Sequence, residues 1–223
     1  MTTSTGFIRF RDSQKNVPVA KIICLGRNYE SHAREMGSEP PERPILFLKP
    51  PSAIIHDGES VILPQFSREL HHEVEMVVAI GKRGKEITVA AASGYISGFG
   101  VGLDMTLRDL QSEAKKKGLP WSVAKGFDTS APVSEFVNAR EVGDPGNLGI
   151  QLAVNGQLRQ SSNTRKMIFS VQEIIAFVSS TFTLEEGDLI FTGTPEGVGR
   201  VDPGDVMEAS LESVAQLRVT VGR

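Results

Sequence analysis

The run Glu73-Val74-Glu75-Met76-Val77-Val78-Ala79-Ile80 constrains this chain more than any other segment. Side chains two apart on a strand share a face. Glu73 and Glu75 therefore look one way, followed on that face by Val77 and Ala79, while Val74, Met76, Val78 and Ile80 line the other. Two carboxylates thus open a face that turns apolar within two residues. Anions placed there repel each other and lose hydration, which drives one to protonate. A bound divalent cation removes both penalties. A strand end fraying into solvent, its Glu pair merely hydrated, is the other reading of the same pattern.

The rest of the chain is punctuated for strands. Gly (22) and Pro (12) interrupt mostly short apolar runs, as tight turns between strands require. The first 20 residues read as an N-terminal arm or edge strand, and 21–26 as a buried strand. Asn28 is placed to cap a short helix through Met36, with Gly37 where a helix ends. Three prolines make 38–44 an extended loop. Residues 45–48 form the next strand, and 53–63 suggest a hairpin turning at Asp57-Gly58. Residues 94–104 are again strand-like. Thr106-Leu107-Arg108-Asp109 has the capping-box spacing, with Asp for the usual Glu, and predicts a helix ending at Gly118 with Lys115, Lys116 and Lys117 as a solvated last turn. Ser170-Val171-Gln172-Glu173 opens a second helix through about Ser180. Two modest helices among roughly a dozen strand candidates give a β-dominated α+β domain. With 223 residues and no clear linker, one domain is expected.

Net charge of −3 and a sequence pI near 5.9 offer no basic surface for nucleic acid or an anionic membrane. The single cysteine, Cys24, excludes a disulfide framework, and its apolar neighbours suggest packing rather than reactivity. No signal-peptide core occurs at the start, and no segment approaches the roughly 20 apolar residues of a membrane span. A cytoplasmic setting is the default expectation.

Asp104 closes an apolar strand just before the predicted helix. Alone it reads as a turn aspartate; with Glu73 and Glu75 it completes a set of hard oxygen ligands that suits Mg²⁺, Mn²⁺ or Ca²⁺ rather than Zn²⁺. His32 and Glu35, three apart, share a helix face, either as a general base with its orienting carboxylate or as a surface ion pair. His56 reads as a loop residue. His71 shares the Glu73/Glu75 face if the strand extends that far back, and His72 looks the other way. Lys125 is a lone cation in an apolar stretch and calls for an anionic partner. Arg108 and Gln111 share a helix face one turn beyond Asp104. The loop Thr192-Gly193-Thr194-Pro195-Glu196-Gly197-Val198-Gly199 offers hydroxyls and backbone N–H groups suited to a carboxylate. It is no Walker A loop, and Gly98-Phe99-Gly100-Val101-Gly102 is no dinucleotide fingerprint.

In order along the chain, Gly26-Arg27-Asn28-Tyr29 with His32 and Glu35, Phe47-Leu48-Lys49-Pro50, His71-His72-Glu73-Val74-Glu75, Leu103-Asp104-Met105-Thr106 and Thr192-Gly193-Thr194-Pro195 resemble the fumarylacetoacetate hydrolase superfamily. The likeness is greatest to its single-domain acylpyruvases and oxaloacetate decarboxylases. It implies a mixed β-sandwich or β-roll with two or three short helices, a catalytic domain over 21–223, and a homodimer. It also implies Mg²⁺ or Mn²⁺ on Glu73, Glu75 and Asp104, a catalytic dyad of His32 and Glu35, an active-site Lys125, and substrate contacts from Arg108, Gln111 and Thr194. The expected reaction is C–C cleavage of a small 2-oxo acid through a pyruvate enolate. The alternatives are an isomerase or tautomerase on the same metal site and, more remotely, a non-catalytic metal-binding protein.

Overall fold

The Val74–Ile80 strand is buried along its whole length inside a six-stranded mixed sheet. This computed structural model describes residues 6–13, 15–35, 37 and 39–223. Across the sheet the strands run Val137–Asn138, Ile96–Leu103, Val74–Ile80, Leu189–Phe191, Ile22–Gly26 and Ile45–Lys49. Only Leu189–Phe191 and Ile22–Gly26 pair in parallel; the other neighbours are antiparallel.

Each face of this sheet has its own core. Val74, Met76, Val78 and Ile80 join the larger one, beneath a five-stranded sheet that supplies Ile150, Leu152, Met207, Leu217 and Val219 and beneath the helix Val171–Thr181. That helix buries Ile174, Ile175 and Val178, each worth about 1.5–3 kcal/mol in apolar transfer. Val77 and Ala79 join the second core with Ile22, Cys24, Phe136 and Phe191, closed by Ile8 and Val19 from the N-terminal segment. Within it Phe191 lies flush on the sheet because Gly102 has no side chain: a Cβ there would stand 2.8 Å from both Phe191 and Val77. Cys24 is fully buried, and burial pushes its thiol well above the ordinary range.

The protein is therefore a strand-dominated α+β fold, with Arg108–Lys117 and Val171–Thr181 as its helices of substance. Phe7–Arg9 and Asn16–Pro18 pair with each other. Among the described residues, no helix is long and apolar enough to cross a membrane.

Three local expectations are corrected. The Asp57-Gly58 turn forms, but its arms do not pair with each other: Ile54–Ile55 runs parallel to Ala131–Pro132, and Ser60–Ile62 parallel to Ala215–Gly222. Asn28 does not cap Glu30–Glu35; its amide donates to Phe169 O and Thr192 O and accepts from Phe169 N. Met36, the expected end of that helix, lies outside the described residues. Thr106 forms no capping box; Thr106–Leu107 is a short strand paired with Leu70–His72, and the helix begins at Arg108 without a side-chain cap.

Candidate active site

The chain breaks strand geometry at Glu73, between Leu70–His72 and Val74–Ile80. Asp104 follows the last residue of Ile96–Leu103, and its N–H donates to Glu73 O at 2.8 Å. This backbone bond brings the strand ends together. Glu73, Glu75 and Asp104 each offer an oxygen, all within 4.8 Å of one another. All are nearly inaccessible, at 5%, 1% and 1% exposure, so the solvated strand end is excluded.

Three cations face this triad. Lys125, at the end of the short helix Ser122–Lys125, donates to Glu73 Oε2 at 2.7 Å, Asp104 Oδ2 at 2.5 Å and Thr106 Oγ1 at 2.7 Å. Arg108 donates to Glu73 Oε1 at 2.5 Å and to Gln111 Oε1 at 2.6 Å. Lys49 Nζ lies 2.9 Å from Asp104 Oδ1, but its N–H groups go to the carbonyls of Met105, Lys125 and Ser130. That contact is electrostatic rather than a hydrogen bond, and Asp104 Oδ1 accepts none. Glu75 Oε1 likewise accepts none, while Gly193 N–H donates to Glu75 Oε2 at 2.6 Å.

The carboxylates differ accordingly. Burial works against the charge of Glu73, yet Lys125 and Arg108 outweigh it and hold its pKa well below the usual range. Burial raises Glu75, and Asp104 and Glu73 raise it further. Burial lowers Lys125, but Asp104 and Glu73 hold it above its ordinary value, so it stays charged. Two buried carboxylate oxygens that accept no hydrogen bond, beside a third acid, form a donor set that fits a hard divalent cation.

His32 is 5% exposed, on the helix Glu30–Glu35, with Nδ1 3.3 Å from Glu35 Oε2. The Gly197 N–H donates to both oxygens of Glu35, at 3.1 and 3.3 Å. The loop 192–199 thus binds carboxylates through Gly193 and Gly197, but they are the protein's own. Gly193 permits this with φ +97° and a backbone pressed on Asn28, where a Cβ would stand 2.6 Å from the Asn28 Cβ.

His32, Glu73, Arg108, Gln111, Lys125 and Thr194 line one cavity, with about 30 Å³ free in this conformation. That is room for a water or two. A roomier cleft of about 540 Å³ lies among Arg9, Arg11, Asp57 and Glu212, where these charges are exposed; among the described residues, the close group of three acids is the buried triad. The buried cluster is the better candidate despite its size.

Eight of the nine candidate residues therefore gather in one place, and Glu35 reaches it through His32. His71 touches Arg108 at 3.5 Å, one contact from Glu73, and His72 turns away, as the strand period implies. His56 stacks on Phe7, away from the site. Lys115 does more than end a helix: it sits 5.3 Å over Trp121 at the cavity. Sequence reasoning missed Lys49, although it closes the apolar strand Ile45–Lys49 as a lone cation, the same signal that marks Lys125.

The fold and the site define a strand-dominated α+β domain with a buried acid triad faced by lysines. Residues 21–222 match the model for the fumarylacetoacetate (FAA) hydrolase C-terminal domain, and the chain belongs to that family and is an enzyme of it. It is 48% identical over 223 residues to the mitochondrial oxaloacetate tautomerase of Bos taurus, covering 100% of this chain and 99% of that one. It is 47% identical over 192 residues to the mitochondrial oxaloacetate decarboxylase of Dictyostelium discoideum, covering 86% and 88%. The fumarylpyruvate hydrolase of Pseudomonas aeruginosa, solved with Mn²⁺ and pyruvate, superposes with a TM-score of 0.96 at 39% identity, covering 100% of this chain and 97% of that one.

Proposed function

We propose that this enzyme cleaves a C–C bond in small 2-oxo acids, by acylpyruvate hydrolysis, oxaloacetate decarboxylation or both, with Mg²⁺ or Mn²⁺ held by Glu73, Glu75 and Asp104. The observation that carries the reading is the pair of buried oxygens, Glu75 Oε1 and Asp104 Oδ1, that accept no hydrogen bond within the protein. A divalent cation bound there supplies Lewis-acid polarisation of a 2-oxo group. The chain supplies the rest. Lys125 holds a full positive charge where negative charge grows as the enolate forms. Arg108 occupies the Gln111 carbonyl oxygen, leaving the Gln111 amide N–H groups for a substrate oxygen.

In hydrolysis, His32, oriented through Nδ1 by Glu35, takes a proton from water as the oxygen adds to the distal carbonyl. The C–C bond then breaks, its electrons pass to the pyruvate fragment as enolate, and a proton returns to carbon to give pyruvate. In decarboxylation no water adds; CO₂ leaves and the same enolate is protonated. Residues 21–223 are the catalytic unit in this reading, with 1–20 as an arm, and the assembly is a cytoplasmic homodimer.

A second reading is favoured by the Bos taurus relative, an oxaloacetate tautomerase. The same groups would then shift a proton between carbon and oxygen, and no C–C bond would break. A screen with Mg²⁺ and Mn²⁺ against acetylpyruvate, fumarylpyruvate and oxaloacetate separates the readings. Pyruvate release supports cleavage. Enol–keto interconversion of oxaloacetate without pyruvate supports the tautomerase. No turnover with either metal overturns both. His32→Ala should abolish hydrolysis and affect decarboxylation differently; equal, negligible effects on both would remove the dyad from the mechanism.

A further inference from the structure

Gln160 is the one fully enclosed residue of the strand Gln157–Asn163, at 1% exposure. Its amide uses all four hydrogen-bonding positions. Oε1 accepts from Val74 N–H and from His72 Nδ1, both at 3.0 Å. Nε2 donates to Pro195 O and to Thr194 Oγ1, both at 2.9 Å. A backbone N–H can only donate and a backbone carbonyl can only accept, so Val74 and Pro195 fix which end of the amide is which. Two consequences follow without further choice. His72 carries its proton on Nδ1. Thr194 Oγ1 accepts from the amide, so its own hydrogen is free to point elsewhere.

Thr194 is 2% exposed and lines the cavity with Lys125, Arg108 and Glu73. No acceptor among the described residues takes its hydroxyl proton. His72 and Val74 flank Glu73, and Thr194 follows Gly193, whose N–H holds Glu75. One amide therefore ties the neighbours of one triad member to the loop that secures another. The loop also lies flush on this strand: a Cβ at Gly197 would meet Arg159 O at 2.2 Å.

We propose that Gln160 is a positioning residue of this site, holding the Thr194 hydroxyl as a hydrogen-bond donor to a substrate oxyanion and fixing Glu73 and the 192–199 loop relative to each other. The inference rests on the reading of the triad as a metal centre. Isothermal titration of purified full-length protein, well below each variant's Tm, tests it with Mn²⁺ and then with pyruvate on the Mn²⁺-loaded protein. Gln160→Met should raise the Mn²⁺ Kd about tenfold, the usual scale for a residue that supports a ligand. Thr194→Val should leave Mn²⁺ binding near wild type. Each single variant should weaken pyruvate roughly tenfold, within the range for a lost hydrogen bond to a charged group, and the double variant no further.

A purely structural glutamine would lower Tm and leave both constants unchanged. Mn²⁺ and pyruvate constants within twofold of wild type in Gln160→Met, or effects that multiply in the double variant, would overturn the proposal. Should Gln160→Met not fold, Gln160→Glu keeps the acceptor and loses the donor. The Thr194 proton then turns to the new carboxylate, and pyruvate binding should weaken; unchanged binding overturns the proposal equally. Wild-type protein that fails to bind Mn²⁺ overturns the metal reading itself, and is seen before any variant is made.

Discussion

The helix Val171–Thr181 opens at the surface, whereas the helix Arg108–Lys117 opens inside the candidate site. At the first, Ser170 Oγ accepts from Glu173 N–H and Glu173 accepts from Ser170 N–H, a complete capping box. At the second, the corresponding residues are Thr106 and Asp109, and they form no capping box. Thr106 donates to Asp104 O and accepts from Lys125, while Asp109 accepts from Ser67 Oγ, Arg68 N–H and Leu110 N–H. A cap is worth about 1 kcal/mol. Leaving the buried Lys125 ammonium short of that acceptor costs more, about 1.5–3 kcal/mol. Local pattern rules a helix start only where nothing stronger claims its side chains.

The largest break in this comparison is Lys125→Met, at the busy end. It should cut turnover by about 10²–10³, the scale of one lost electrostatic stabiliser, and destabilise the metal-free protein by roughly 3–5 kcal/mol as Glu73 and Asp104 lose their shared cation. Urea unfolding in EDTA and a steady-state assay read both effects. Thr106→Val is expected to lower turnover about tenfold while costing about 1.5–3 kcal/mol, the range for a hydrogen bond to a charged group; a loss of stability with unchanged turnover would make Thr106 an ordinary buried hydroxyl. Asp109→Ala removes the ties to 67–68 and should cost about 1–2 kcal/mol, with turnover within about twofold on the same scale.

The quiet end should show the smallest effects. Ser170→Ala is expected to cost about 1 kcal/mol and leave turnover alone. Hydrogen bonds from Ser170 hold Glu173 below its ordinary value of 4.5. A carboxylate lowered in the folded state stabilises it above that ordinary value and ceases to as pH falls through the lowered one. The stability gap between wild type and Glu173→Gln should therefore be present at pH 7 and shrink as the pH falls below the ordinary value of 4.5. A gap that widens in acid would contradict the capping role.

Much of the candidate site was legible because its residues obey short-range periods. Glu73 and Glu75 share a face by the strand repeat, His32 and Glu35 by the helix repeat, and Arg108 and Gln111 likewise. Lys125 stood out as a charge in apolar surroundings. Lys49 carried the same signal and was passed over. Asn28 and Gln160 carried none, because their roles exist only through partners far away in the chain: Asn28 with Phe169 and Thr192, Gln160 with His72 and Thr194. The supposed hairpin at 53–63 failed for the same reason. A turn is local, but which strand pairs with its arms is not.

The sequence by itself determined the strand-rich class, the central strand and the residue types of the acid cluster. Those follow from alternation, turn chemistry and the cost of burying charge. Tertiary structure alone decided that Asp104 meets Glu73 through a backbone bond, that Thr106 serves Lys125 instead of a helix, and that the loop N–H groups of Gly193 and Gly197 are taken by Glu75 and Glu35. Each is a competition among partners for one hydrogen-bonding group. Such competitions are settled by which groups the fold buries together, and no local pattern records that.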